Sequence, residues 1–244
     1  MTAAQAFPGA TGVTLLDVYD WPTADGLRGG SAHIHLASTE GYLVLRGAGR
    51  LQTLGSHGYQ ETPLRPGDCL WFTPGTVHRL VNDDGQLQIL VVMQNAGLPE
   101  AGDAVLTFPP DILADPGAYA RAAALPAGGV AGEMADAARR RRDLAIVGYL
   151  AMREAGPAAL EAFFAAAVRL VGGRVPEWRE RWQAGALGAA ALTGRHLDRI
   201  AAGDAAHLGA GVLRQSRPGG HGPRRYGMCG LLTGYDPATA VIIP

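Results

Sequence analysis

The chain contains no lysine; all 21 of its basic residues are arginine. Without a side-chain amine no Schiff base can form and no lysine general base exists. Lysine-anchored pyridoxal phosphate chemistry and P-loop nucleotide hydrolysis are therefore disfavoured. Cysteine is nearly absent too. Cys69 and Cys229 stand 160 positions apart, which makes neither a disulfide framework nor a zinc ribbon, and both are expected as unpaired thiols. No apolar run is long enough for a transmembrane helix. The formal charge is −1, so neither a nucleic-acid binder nor an acidic tail is expected. Met1–Pro8 has no basic stretch followed by an apolar core. The expectation is a cytoplasmic protein with no nucleic-acid or membrane partner.

What is present divides the 244 residues into parts of different texture. Residues 11–110 read as short strands. Val13–Val18, Tyr42–Leu45, Cys69–Phe72 and Leu87–Met93 are separated by turn chemistry such as Asp25-Gly26, Pro66-Gly67-Asp68 and Pro74-Gly75. Short strands at this spacing predict an all-β sandwich or barrel. From about residue 112 helices are expected. Asp115-Pro116 reads as an N-cap with proline at the first helical position. Segments 119–125, 133–154, 157–171, 176–192 and 196–207 carry helical spacing. Residues 214–230 read as loop, and Ala240–Ile243 as a strand returning to a sheet. The expected division is a β-barrel at 1–110, a helical region at 111–210 and a Gly/Pro/Arg-rich tail at 211–244.

The chemistry concentrates in Ser31-Ala-His33-Ile-His35-Leu-Ala-Ser-Thr-Glu40. On a strand, residues i and i+2 share a face, so His33 and His35 project side by side with backbones roughly 6.7 Å apart. That gap lets two imidazoles converge on one ion at bond lengths of about 2.1 Å. A tight turn then returns Glu40 at the start of the next strand, adding a hard, charged ligand. In the second stretch, Pro66 to Asn82, the Pro74-Gly75 turn is followed by His78, where a neighbouring strand can aim it inward.

These two stretches resemble the motifs of the cupin superfamily. His33, His35, Glu40 and Gly47 match the first motif; Gly67, Gly75, His78 and Asn82 match the second. Leu27 stands where the first motif opens on glycine, and Pro74 abuts Gly75, one residue off the family spacing. The resemblance covers about residues 12–95. It implies an antiparallel double-stranded β-helix, or jelly-roll, barrel in which His33, His35, Glu40 and His78 are the metal ligands, with a helical C-terminal region outside the match.

Three imidazoles and one carboxylate leave two positions open on a six-coordinate ion, which suits Fe, Mn, Ni, Cu or Zn. The expected function is a metal-dependent enzyme (an oxygenase, lyase or isomerase) acting on a small polar molecule. The alternative is a metal-containing module that binds or senses a small ligand without catalysis. A homodimer is compatible with strand edges that pair. Tyr42 and Arg46 alternate in phase with Glu40, which makes them candidates for the interior, and Gln94 ends a strand; these three are the candidate catalytic residues. Of Trp71 and Phe72 only one can line the pocket. The Arg139–Arg142 run reads as a solvated helix face, His196 and His207 as surface or packing residues, and the basic stretch His221–Tyr226 as a possible lid over the barrel mouth.

Overall fold

The computed structural model describes residues 6–126, 131–219 and 224–243. Nine strands come first: β1 (Gly12–Val18), β2 (His33–His35), β3 (Glu40–Arg46), β4 (Gly49–Gly55), β5 (Gly58–Leu64), β6 (Cys69–Phe72), β7 (Val77–Asn82), β8 (Gln88–Met93) and β9 (Ala104–Leu106). Six helices follow: α1 (Pro110–Ala114), α2 (Pro116–Ala123), α3 (Ala131–Ala155), α4 (Pro157–Val171), α5 (Val175–Trp182) and α6 (Gly188–Ala201). The chain closes with β10 (Leu213–Gln215), β11 (Arg225–Tyr226), β12 (Gly230–Gly234) and β13 (Val241–Ile243). Asp115 caps α2 as expected, its carboxylate accepting from Gly117 N at 2.8 Å.

All but β10 and β13 of these strands form two antiparallel sheets, in the orders β11-β12-β1-β8-β3-β6 and β5-β4-β7-β2-β9. The expected jelly-roll architecture is present, with one correction: the strands do not close into a barrel. Among the described residues β5 pairs only with β4, and β6 only with β3, so each sheet keeps an edge. Period-two alternation builds the layer between the sheets. Leu16, Val18, Tyr42, Val44, Ile89 and Val91 from the first sheet meet Leu51, Leu64 and Leu80 from the second in one buried cluster.

The inner strands of the second sheet, β2 and β7, are buried on both faces, while its edge strand β5 is exposed. All six residues of β7 are buried, the pattern of a strand covered on each side. Ile34, Val77 and Val105 point away from the interior and pack with Ile146, Tyr149 and Phe163 of α3 and α4. Each such burial contributes on the order of 2 kcal/mol. The approach of α3 is close enough to require glycine. A Cβ at Gly148 would sit 2.1 Å from Thr107 O.

Arginine fastens these layers: of the expected solvated face at residues 139–142, Arg139 and Arg140 are exposed, but Arg141 and Arg142 turn inward. Arg142 is 1% exposed. It donates to the carbonyls of Trp21 (2.7 Å), Pro22 (2.9 Å) and Gly29 (3.1 Å), tying α3 to the loop that leads into β2. Arg141 donates to Gly227 O at 2.7 Å. Under the same loop, buried Arg79 bonds Asp25 at 2.6 Å and Thr23 at 2.8 Å.

The tail differs from its reading as loop plus terminal strand. Its returning strand is β12, which pairs with β1 over five residues, whereas β13 forms and pairs with β10 in a separate ribbon. Glycine permits the first pairing, because a Cβ at Gly230 would lie 2.0 Å from Asp17 O.

Candidate metal centre

Three strands bring the site together. β2 is only three residues long, and its alternation sends Ile34 to the helices and both histidines between the sheets. His33 sits directly opposite His78 of β7. Glu40 opens β3 of the facing sheet, opposite Phe72 and Met93. All four groups are buried, at 7% exposure or less. His33, His35, Glu40 and His78 each offer one ligand atom, and those atoms lie within 4.8 Å of one another. Among the described residues no other group of three or more His, Cys, Asp or Glu does so.

The outer nitrogen of each ring fixes what the inner one can do. His33 Nδ1 lies 3.2 Å from Ser31 O and His78 Nδ1 lies 3.1 Å from Thr76 O. A carbonyl only accepts, so both Nδ1 atoms carry the proton and both Nε2 atoms present a lone pair inward. His35 Nδ1 faces Asp103 Oδ2 at 3.5 Å. Asp103 is fully buried, and its Oδ1 accepts from Leu36 N (3.0 Å) and Ala37 N (2.7 Å), so it is held in place by the turn after β2.

The inner atoms face each other without hydrogen-bond satisfaction. Glu40 Oε2 is 3.1 Å from His78 Nε2 and 3.2 Å from His35 Nε2, yet neither Oε2 nor His78 Nε2 has a hydrogen-bonding partner. A carboxylate oxygen set against an imidazole lone pair in a dry interior is repulsive unless a cation or proton lies between them. The donor set therefore fits a divalent ion.

The electrostatics agree. Burial disfavours charge on His35, but the carboxylates of Asp103 and Glu40 outweigh it and push its pKa up to about 9. His33 is driven well below the ordinary histidine range by burial, then by His78 and His35. Burial also opposes ionisation of Glu40, yet His35 and His78 hold its carboxyl well below its usual range. The two carboxylates favour positive charge beside His35, while burial and the neighbouring imidazoles disfavour it on His33.

The candidate catalytic residues part company. Tyr42 is buried beside the site, its hydroxyl without a partner and its ring 5.3 Å from Phe72. Burial, with Glu40 adding to it, raises the phenol well above its ordinary pKa, so it stays a donor. Arg46 lies elsewhere. A bulge between Val44 and Arg46 shifts the alternation, and the exposed guanidinium pairs with Asp17 at 3.2 Å. Gln94 is exposed, with Oε1 accepting from Thr39 N at 3.2 Å next to the Glu40 turn. Phe72 is the aromatic that reaches the site, 4.3 Å from the His78 ring, while Trp71 is 72% exposed.

Two further residues were not anticipated. Asp103 belongs to no motif, and only its approach from β9's leading turn reveals it. Cys229, just before β12, places Sγ 4.0 Å from His33 Nδ1. Its burial, and then Glu40, raise the thiol pKa, keeping it protonated. Of the expected lid, His221–Pro223 lie outside the described residues. Arg224 pairs with Asp17 at 3.2 Å, and Arg225 and Tyr226 form β11 on the first sheet.

Residues 24–93 match the model of the Cupin domain. No curated protein matches the chain. Among solved structures, an uncharacterized conserved protein with a double-stranded β-helix domain from Klebsiella pneumoniae is 21% identical, with a TM-score of 0.29. That match covers 36% of this chain and 70% of the other. A TDP-quinovose 3,4-ketoisomerase from Campylobacter jejuni is 16% identical over 34% of this chain and 60% of its own, with a TM-score of 0.29. An oxalate decarboxylase variant from B. subtilis is 18% identical over 35% of this chain, with a TM-score of 0.31. The match spans only 24% of that decarboxylase.

Proposed function

We propose, from the premise that residues 24–93 are a cupin domain, that the protein is a metal-dependent enzyme acting on a small polar molecule. His33, His35, Glu40 and His78 would hold one divalent ion of iron, manganese, nickel, copper or zinc. The observation that carries this reading is the unsatisfied contact between Glu40 Oε2 and His78 Nε2 inside a ring of outward-anchored imidazoles.

When bound, such an ion polarises a coordinated oxygen or passes an electron, the chemistry of an oxygenase, lyase or isomerase. The protein's own groups do the rest. The carbonyls of Ser31 and Thr76 hold two rings in the tautomer that presents Nε2, and Asp103 orients the third. Glu40 offsets part of the ionic charge in a dry interior. Phe72 walls the His78 side against water. The Tyr42 hydroxyl, protonated and unpartnered, is the donor available to a substrate oxygen.

The reading of a binding module without turnover rests on the same cluster. Substituting Glu40→Gln separates the outcomes. Metal content and turnover (oxygen uptake or substrate loss across candidate small acids and sugars) should fall together, turnover by at least about tenfold. Full metal content with undiminished turnover in the variant would remove Glu40 from the site. Ligand-induced stabilisation with no product from any candidate would favour the binding module. The expected homodimer remains a proposal, supported by Leu43, Trp71 and Val92 exposed together on the outer face of the first sheet.

A further inference from the structure

A groove of about 480 Å³ runs along the seam between the β and helical parts, away from the four ligand side chains. That size falls within the range of small-molecule sites. One wall is the turn at Leu36 and Ala37 together with Asn95; the other is α4 and α5, through Val168, Val175 and Trp182. The last three are 60%, 38% and 39% exposed, so this part of the chain leaves a concave apolar surface in water.

Two polar features mark what would fill it. Asn95 is only 7% exposed, adopts a positive φ of 57° and spends its Nδ2 on Ala37 O at 3.4 Å. Its Oδ1 is buried with no hydrogen-bond partner. Such an acceptor costs on the order of 1–3 kcal/mol unless a donor reaches it. On the opposite wall Arg179 also lines the groove and makes no ion pair among the described residues. Trp178 is fixed between them, with Nε1 donating to Ala101 O at 3.1 Å.

We infer that this groove is a second binding site, separate from the metal centre, for a small carboxylic acid with an aromatic or branched aliphatic body and one hydroxyl or amine. The apolar body lies against Val168, Val175 and Trp182. The carboxylate meets the Arg179 guanidinium, and the donor reaches Asn95 Oδ1 once that side chain, sealed from water in the free protein, turns toward the groove. Occupancy would bear on the turn that follows His35, because Asn95 already holds Ala37 O.

Calorimetric titration of the metal-loaded protein tests this with 4-hydroxyphenylacetate, phenylacetate (no donor) and 4-methylphenol (no carboxylate). The first should bind at one site per chain with a Kd at or below about 1 mM, and each of the other two several-fold more weakly. Arg179→Gln should weaken 4-hydroxyphenylacetate about tenfold and leave 4-methylphenol unchanged. Val168→Asp should abolish binding of the acids. Both substitutions fall at exposed positions, and circular dichroism checks that each variant folds. Repeating the titration after chelation keeps this site distinct from the metal: binding should persist. Absence of saturable binding, binding indifferent to both substitutions, or binding lost on chelation would overturn the inference.

Discussion

Two histidine pairs, one tilted at 58° and one stacked at 19°, differ in almost everything except proximity. His33 and His78, on paired strands, have ring centroids 4.1 Å apart. His196 on α6 and His207 beyond it have centroids 4.5 Å apart. The first pair is buried, anchored at both Nδ1 atoms and faced by Glu40. The second is half-buried, no third His, Cys or carboxylate among the described residues completes it, and His207 Nδ1 is left without a partner. Adjacent imidazoles do not make a metal site. A fixed tautomer, a carboxylate and removal from water do.

That contrast extends to the regions around each pair. The β part supplies the ligands, and the helical part closes the back of the strand that carries two of them. The largest predicted effect breaks that division. Arg142→Met would remove the guanidinium bonds to the carbonyls of Trp21, Pro22 and Gly29, of which Trp21 O keeps only Gly29 N, and should destabilise the fold by about 3 kcal/mol. Denaturant unfolding would measure it. A change under about 0.5 kcal/mol would show that the helices merely rest against the sheet.

A smaller effect sharpens the view of the buried site. Asp103→Asn keeps the shape but removes the charge facing His35 Nδ1. Metal affinity should fall by about 10- to 100-fold in competition with a chelator, with the fold intact. Unchanged affinity would mean that Asp103 only tethers the turn through Leu36 and Ala37. The smallest effect belongs to the other pair. His196→Ala should change stability by no more than about 0.5 kcal/mol and leave metal content as it was; loss of metal would assign that pair a role the geometry does not give it.

The contrast also explains what could be read from sequence. His33, His35 and Glu40 lie within eight residues: alternation sets the two histidines on one face, and the turn after them returns Glu40 from the facing sheet. His78 follows a Pro-Gly turn that marks where its strand begins. Asp103 and Cys229 come from 68 and 194 residues downstream of His35, with no local pattern. Arg46 has the right parity for the interior but sits past a bulge that parity cannot foresee. The Arg139–Arg142 run looks solvated because counting charges says nothing about buried carbonyls awaiting a donor. In the tail, Gly230–Gly234 is too short and glycine-bounded to announce itself as a strand, and only its fit against Asp17 makes it one.

Elemental analysis of the purified protein, beside a His78→Ala variant, tests the metal centre most directly. The account predicts close to one equivalent of a first-row divalent metal per chain in the parent and almost none in the folded variant. Equal metal in both, or a parent chain that takes up none when first-row metals are supplied in excess, would contradict it.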